Sequence, residues 1–479
     1  MTTRRNILLL FPDFGGSVIF YHILEPLVLE IFSAIAREEG CEPRLIDLRM
    51  DKRGHERLAK QGYVPDFIAV TARGYYEIPA VNALLKRCKS LWPNAPIVLG
   101  GGQATITPEL YTQEYIDILV RGPGERLWRN MCREGVARQD TCRIVQDDAP
   151  AKTWSFPLPD RAATEKWRGR YKFYIPQHDG RSFERSSFTF TTQGCPFRCT
   201  FCSIWPANLG LYRRRAIPEV IEELKAIKEP HVYLFDDNML AEPAYAEELA
   251  DAIQAAGIRK TYTSYSRADH IVEHPELVKK WAAVGLRHLC VGLEAIGGDE
   301  ELDRLNKVTT LKQNKRALAV LREAGVYCYA HILLTPEMTR KEFDAVYDFI
   351  AENKLEYPIT PYLTPLPGTK LFEECRAEDK LLTEDPKYFT YVYMVVRPEK
   401  LSIRDYYREV DRLYLRMWSW KRYLSGGCGD TSLRAFLQWW LFTRLLILYL
   451  RFNRRVFFRD IEQSGRDKIT SRTSAGVLH

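Results

Sequence analysis

The 479-residue sequence has no GxGxxG fingerprint, no second pair of closely spaced cysteines beside its one tight group, and no signal-like leader. The first absence weakens a dinucleotide-binding reading. The second argues against structural zinc, which takes four ligands and often draws them from two CxxC-type pairs. Of eleven cysteines, the eight outside the tight group are scattered singly. With a basic start that leads into an apolar run of only six residues, the cysteines suggest a reducing compartment. A net charge of +7 is modest and does not by itself imply nucleic acid. Apolar residues at 46% and charged residues at 27% are ordinary globular values. The length allows about two to four domains.

What is present is concentrated in one stretch. Residues 191–205 read TTQGCPFRCTFCSIW and place Cys195, Cys199 and Cys202 at CxxxCxxC spacing. Three thiolates this close can hold three corners of an iron–sulfur cube while the fourth iron has no protein ligand. A protein that only transfers electrons normally supplies four cysteines. The open corner suits an enzyme that binds and reductively cleaves a ligand.

Upstream, residues 6–11 form a continuous apolar run before Pro12, as a buried parallel strand does. A helical pattern over 27–38 ends at Gly40. Further strands are expected at 43–47, 67–71, 97–100 and 116–120, with helices around 77–91 and 104–113. This alternation predicts a doubly wound, Rossmann-like α/β domain over residues 1–135, with its ligand at the carboxyl ends of the strands. Those ends are glycine-rich, with Gly100, Gly101 and Gly102 after the fourth strand and Gly122, Gly124 and Glu125 after the fifth. Glycines let a backbone approach a ligand closely. Plain turn glycines are the alternative.

Residues 136–186 read as an irregular connector, broken by prolines, that packs between the domains. From 187 to 375, strands are expected at 187–192, 231–235, 261–266, 288–293, 327–333 and 358–363, separated by helices, one of them begun by Pro218. The pattern is an open, partial (β/α)6 TIM barrel. Polar residues gather where its strands end, the face on which barrels place their sites. These are Asp236 and Asp237, Ser266 and Arg267, Glu294, and a turn with Pro367 and Gly368. Helix capping is the alternative for the aspartates and ordinary barrel loops for the rest. His331 reads as structural.

Residues 376–425 are helical and aromatic, and either complete the core or wall a large apolar pocket. In the tail, 426–479, residues 431–459 contain no acid, while Arg434, Arg444, Arg451, Arg454, Arg455 and Arg459 recur through an apolar helix. A membrane span wants ~20 largely uncharged residues, and Arg444 and Arg451 interrupt this one. At about 100° per residue the arginines fall on one half of the circumference. Trp439, Phe442, Leu445, Leu446, Tyr449 and Phe457 occupy the other, while Trp440, Leu441, Ile447 and Leu448 share the arginine side. The pattern predicts a helix lying in a membrane interface with its arginines toward anionic headgroups. A core helix or a dimer contact is the alternative.

The string GCPFRCTFCSIW is similar to the signature of the radical S-adenosylmethionine (SAM) superfamily. The domain order resembles that superfamily's cobalamin-binding branch, of the class B methyltransferase type. Segments 24–30 (LEPLVLE), 45–49 (LIDLR), 101–105 (GGQAT), 122–125 (GPGE), 156–161 (FPLPDR), 172–176 (KFYIP) and 364–369 (TPLPGT) extend the likeness over nearly residues 1–425. The resemblance implies a [4Fe–4S] cluster on Cys195, Cys199 and Cys202. It implies SAM against Asp236, Asp237, Ser266, Arg267, Glu294, Pro367 and Gly368, and cobalamin against the glycine loops and Glu125, with Arg73 and Tyr75 facing the corrin. Three departures stand out. The DxHxxG motif is absent, so no histidine is expected on cobalt; GPGE replaces the family's GEGE; and Ala295 stands where the family has serine.

The chemistry implied is cleavage of SAM to a 5′-deoxyadenosyl radical, hydrogen abstraction from an unactivated carbon, and methyl transfer from methylcobalamin. It needs a reductant of the flavodoxin or ferredoxin type. Residues 267–277 (RADHIVEHPEL) and 305–307 (LNK) resemble the hopanoid C-3 methylase subgroup, which implies an apolar lipid substrate. Such a protein would be cytoplasmic, peripheral to the inner face of the membrane, and free of nucleic acid. Residues 389–400, FTYVYMVVRPEK, depart from the subgroup, which carries a histidine there. A tetrapyrrole cyclase, methylase or hydroxylase is the rival within the branch, and a non-catalytic electron-transfer protein the rival outside it. No side chain is assigned a catalytic role.

Overall fold

The computed structural model describes residues 4–14, 24–147, 153–171, 185–296, 299–307 and 309–463; the KFYIP segment and the tail beyond residue 463 lie outside them. Ile7, Leu8, Leu9 and Leu10 of β1 (Asn6–Phe11) are fully buried, as a strand covered on both faces requires. β1 is flanked by β2 (Glu42–Asp47) and β3 (Phe67–Thr71), and the sheet continues through β4 (Ile97–Gly100), β5 (Ile118–Arg121) and β6 (Arg143–Gln146). The order is β2-β1-β3-β4-β5-β6 and every pairing is parallel. Helices α1 (Leu27–Glu38), α2 (Gly54–Lys60), α3 (Ile78–Leu91), α4 (Gly102–Ile106) and α5 (Glu125–Glu134) connect the strands.

β6 carries this sheet past residue 135, where the sequence places the domain's end. Its sequence, RIVQ, is largely exposed, so an edge strand formed without the apolar run that would announce it. The helix expected over 104–113 is only α4 followed by two 3-10 turns, the first beginning at Pro108, whose nitrogen has no hydrogen to donate.

The second sheet is a sequential, all-parallel set: β8 (Ser186–Thr189), β11 (His231–Leu234), β12 (Thr261–Arg267), β13 (Leu286–Glu294), β14 (Tyr327–Ile332) and β15 (Tyr357–Ile359). Its crossovers use α7 (Ile217–Ala226), α8 (Pro243–Ala255), α9 (Ala268–Glu273) with α10 (Pro275–Val284), α11 (Asp299–Arg304) with α12 (Leu311–Glu323), and α13 (Arg340–Glu352). This is the open six-stranded barrel. A small sheet of β7 (Thr153–Trp154), β10 (Arg213–Arg215) and β9 (Thr192–Gln193) links it to the connector.

The connector packs between the two domains as a latch. Arg161 and Arg168, at either end of a 3-10 stretch, meet Glu25 and Glu30 at the start of α1 and Glu223 and Glu229 on the barrel side. Arg161 stands 2.7 Å from Glu223, which Arg215 holds at 2.6 Å from the other side. Glu25 also accepts from the Phe188 amide at 2.6 Å, tying α1 to the first barrel strand. Burial, reinforced by the charge of Glu25, pushes the Glu30 carboxyl up to about 8.

Helices α14 (Lys370–Ala377), α15 (Ile403–Met417), α16 (Trp420–Leu424) and α17 (Leu433–Gln463) complete the chain. Of the aromatics at 376–425, Tyr388, Phe389, Tyr406 and Tyr407 are buried core, while Tyr391, Tyr414 and Trp418 line a cavity.

By length and composition α17 could cross a membrane. Its apolar faces are arranged differently from the expectation. Phe457 is fully buried against Tyr388 and Tyr393, and Trp439 stacks on Trp418 at 5.2 Å. Arg454 is buried as well, bonded to Asp411 at 2.7 Å. The exposed apolar stripe is instead Leu437, Leu441, Leu445, Leu448, Tyr449 and Phe452, including two residues the sequence sets on the arginine side. The reason is that α15 and the barrel, absent from a helical wheel, claim the side holding Trp439 and Phe457.

Candidate functional site

The cluster loop is held by its own backbone and by its neighbours. Gly194 precedes Cys195 with φ +85°, and a Cβ there would lie 2.1 Å from the Leu211 carbonyl oxygen, so only glycine makes this turn. Its amide donates to Asp237 at 2.9 Å. The Cys199 carbonyl accepts from the Cys202 amide and the Trp205 indole, each at 3.2 Å. From outside, Asn306 donates to the Arg198 carbonyl at 2.9 Å and the Leu371 amide to the Thr200 carbonyl at 3.1 Å.

Cys195, Cys199 and Cys202 line one cavity. Among the described residues no three Cys, His, Asp or Glu side chains gather as a single metal ion would require. Burial pushes the Cys202 thiol up to about 12, so the protons must leave as iron arrives.

Around the thiols the barrel strands deliver a second ring of groups. Arg267, at the end of β12, is 5% exposed and forked onto Asp269 at 2.7 Å. It also donates to the Lys307 carbonyl, lies over the Phe197 ring at 3.7 Å and points a nitrogen at the Cys199 sulfur, 3.8 Å away. At the end of β13 the register with β14 shifts, and Glu294 takes φ +59°, a left-handed conformation that costs a non-glycine residue about 1–2 kcal/mol. The shift aims its carboxylate at Lys307, 2.8 Å away. Burial lowers the affinity of Lys307 for its proton, but Glu294 and then Cys199 outweigh it and hold the ammonium above its usual value. Sequence reasoning missed Lys307 as a site residue, although the LNK segment was visible; Asp269 ends the run 266–269 expected to face SAM, and here it holds Arg267.

Of the expected SAM-side residues, Asp237, Ser266, Arg267 and Glu294 line the cavity. Burial pushes Asp237 up to about 7. Asp236 is turned away: its oxygens accept from the amides of Thr191 at 2.7 Å and Thr192 at 2.9 Å and from the Thr191 hydroxyl, bracing the strand that enters the cluster loop. Pro367 and Gly368 are not on the cavity, which Thr364 and Leu366 reach instead. A Cβ on Gly368 would stand 2.0 Å from Ile106 of α4, so this glycine lets the two domains close. His331 does face the cavity, and burial lowers its pKa, leaving a neutral ring.

The cavity extends from the thiols to the C-terminal helices and has a volume of about 670 Å³, within the ~300–1,000 Å³ usual for small-molecule sites. Its far end is made by Tyr414, Met417 and Trp418 at the end of α15 and Trp439, Phe442 and Leu446 of α17.

The glycine loops face the cluster loop across the seam between the domains. A Cβ on Gly122 would lie 2.4 Å from Leu209 and one on Gly102 3.4 Å from Ala207, at the end of α6 (Ile204–Ala207). Gly101 has φ +112° and leaves room for the Ala72 carbonyl, while Gly124 clears Val120 and Phe32. A Cβ on Gly100 would meet nothing nearer than Val120 at 3.8 Å. Glu125 is committed elsewhere, accepting from the Trp154 indole at 2.7 Å and from Arg213 at 3.1 Å. Tyr75 also turns away, donating to the Glu384 carbonyl at 2.8 Å, and Arg73 pairs with Glu77 at 2.5 Å while lying over the Phe11 ring. The cluster loop thus packs directly on the glycine loops at the carboxyl ends of the strands. A flat group held against Gly102 and Gly122 would take the place that Ala207 and Leu209 fill here.

Comparison with known proteins agrees with both halves of this geometry. Residues 189–350 match the Radical SAM superfamily and residues 19–130 the B12 binding domain. The chain is similar to the hopanoid C-3 methylase of Methylococcus capsulatus, at 27% identity over 83% of this chain and 78% of that protein. It is also similar to the anaerobic magnesium-protoporphyrin IX monomethyl ester cyclase of Cereibacter sphaeroides, at 27% identity over 90% of this chain and 75% of that one. Among solved structures, the fold matches the radical SAM methyltransferase TsrM of Kitasatospora setae, with cobalamin and a [4Fe–4S] cluster bound. That match has a TM-score of 0.60, 18% identity and 78% of each chain covered. Cysteine loop, open barrel and preceding glycine-edged sheet thus have one common explanation: the chain is an enzyme of the cobalamin-binding branch of the radical SAM superfamily, with a [4Fe–4S] cluster, SAM and cobalamin as its cofactors.

Proposed function

We propose that the enzyme transfers a methyl group to an unactivated carbon of an apolar substrate, with a hopanoid-type lipid as the first candidate, and that it works at the cytoplasmic surface of a membrane. The single observation that carries this is the lining of the cavity. Its two cations, Arg267 and Lys307, are each held by a carboxylate, its histidine is neutral, and the remainder is mostly aromatic and aliphatic. A tetrapyrrole carries carboxylates, and among the described residues the cavity presents no free cation to receive them. The rival reading is therefore the weaker one.

When bound, the cluster supplies the electron that cleaves SAM, and cobalamin carries the methyl group. Cys195, Cys199 and Cys202 would hold three of the irons. Asp237, Ser266 and Glu294, lining the cavity with the thiols, would meet the ammonium and hydroxyl groups of SAM. The aromatic far end would hold the substrate and exclude water. A flavodoxin- or ferredoxin-type protein would return the spent electrons.

Anaerobic reconstitution with iron, sulfide, cobalamin and dithionite tests this. The chain should take up a cluster and a cobalamin and release 5′-deoxyadenosine from SAM, and Cys202→Ala should abolish cluster and nucleoside together. An intact cluster that releases no nucleoside would sink the reading.

A further inference from the structure

α17 serves two spaces at once. Trp439, Phe442, Thr443 and Leu446 line the cavity. On the opposite side of the same turns, Leu437, Leu441, Leu445, Leu448 and Phe452 are exposed, Leu441 by 54%, Leu448 by 63% and Phe452 by 67%. Fifteen steps of ~1.5 Å make this stripe roughly 22 Å long. Unpartnered apolar faces of that size mark interaction sites.

Charge identifies the partner. Arg434 stands at one end of the stripe and Arg455 and Arg459 at the other, with Arg444 along one edge; Arg451, on the same edge, is paired with Asp411 at 2.8 Å. No acid occurs between residues 431 and 459. An apolar strip framed by cations and free of anions fits a surface of anionic lipid, its acyl chains under the leucines and its headgroups at the arginines.

Packing shows where the helix is held. Its first turns are fixed by Phe436 stacking on Tyr423 at 4.3 Å, and its last by Arg454 on Asp411 and by Lys387 on Asp460 at 2.8 Å. Between these anchors the wall of the cavity is one helix thick, closed at Trp439 by its stack on Trp418.

We propose that α17 is a port. Its outer stripe rests on the bilayer, and an apolar polycyclic substrate passes from the lipid phase along the helix, between the two anchors, into the cavity without crossing water. This rests on the membrane reading above and adds a route to it.

The test uses the cofactor-loaded full chain with vesicles of equal phosphatidylglycerol and phosphatidylcholine that carry a small fraction of a diazirine-bearing sterol. After illumination, labelled residues are mapped by mass spectrometry. The protein should sediment with the vesicles. Label should appear on residues 437–452 and also on 357–364, where the buried Tyr357, Tyr362 and Leu363 can meet the sterol only from the cavity. Label confined to the outer stripe would overturn the port and leave membrane contact standing. Neither sedimentation nor label would overturn both. Leu441→Glu combined with Leu448→Glu should lower label at 357–364 at least tenfold when the sterol comes from vesicles, yet leave it intact when the sterol comes on cyclodextrin. Unchanged vesicle labelling of that segment in the variant would overturn the port.

Discussion

A methyl group on residue 292 would lie 2.1 Å from the Glu294 carboxylate and 2.8 Å from the Lys307 ammonium, so their ion pair exists because that position is glycine. Both side chains are over nine-tenths buried. Removing one partner of such a pair strands the other charge, at about 3–5 kcal/mol. Lys307→Met should therefore lower the thermal midpoint sharply, while adding Glu294→Gln should recover much of the loss; a midpoint unchanged in the single variant would show the pair to be unimportant. Arg267 acts on the cluster rather than on stability alone. Its positive charge beside Cys199 favours the reduced, more negative cluster. Arg267→Gln should retain iron and sulfide yet shift the cluster's potential to more negative values, as followed by EPR during a redox titration; an unmoved potential would assign the arginine to packing. At this scale the sequence disclosed the thiols and Glu294, because their spacing and neighbours are local. It did not disclose Lys307, thirteen positions from Glu294, or that Asp236 braces the backbone while Asp237 lines the cavity. Those depend on a register shift and a loop closure that no local pattern records.

At the scale of elements, the latch between α1, the connector and the barrel makes a pH-dependent contribution. The folded-state value of Glu30, about 8, lies above its ordinary 4.5, so the folded protein keeps a proton that the unfolded chain gives up. Its contribution is full below about pH 4.5 and is lost as the pH rises through about 8, at about 1.4 kcal/mol per pH unit across that window. The difference in stability between the wild type and Glu30→Gln, measured by denaturant titration from pH 5 to 8, should change with that slope and sign; a difference independent of pH would contradict the assignment. Most strands and long helices were legible from apolar runs and their periods, and β1, α1, β3 and β4 have the bounds expected from the sequence. β6 was not, because an exposed edge needs no apolar pattern. The face of α17 was misread for a related reason. A helical wheel ranks residues by polarity alone, whereas α15 and the barrel decide which apolar residues remain outside.

At the scale of the whole molecule, two parallel sheets present their strand ends to one seam, and the cavity runs from the thiols near it to a helix whose outer face is greasy and basic. That layout puts the three thiols and an apolar binding space in one cavity, beside the seam where the glycine-edged sheet would hold the methyl carrier. The measurement that tests it most directly is methyl transfer itself. Reconstituted enzyme is incubated anaerobically with dithionite, SAM labelled in its methyl group, and a membrane-lipid extract in anionic vesicles. The account predicts label in an organic-soluble product, accumulating in step with 5′-deoxyadenosine and absent with Cys202→Ala. Nucleoside release with all transferred label in water-soluble or tetrapyrrole products would contradict it.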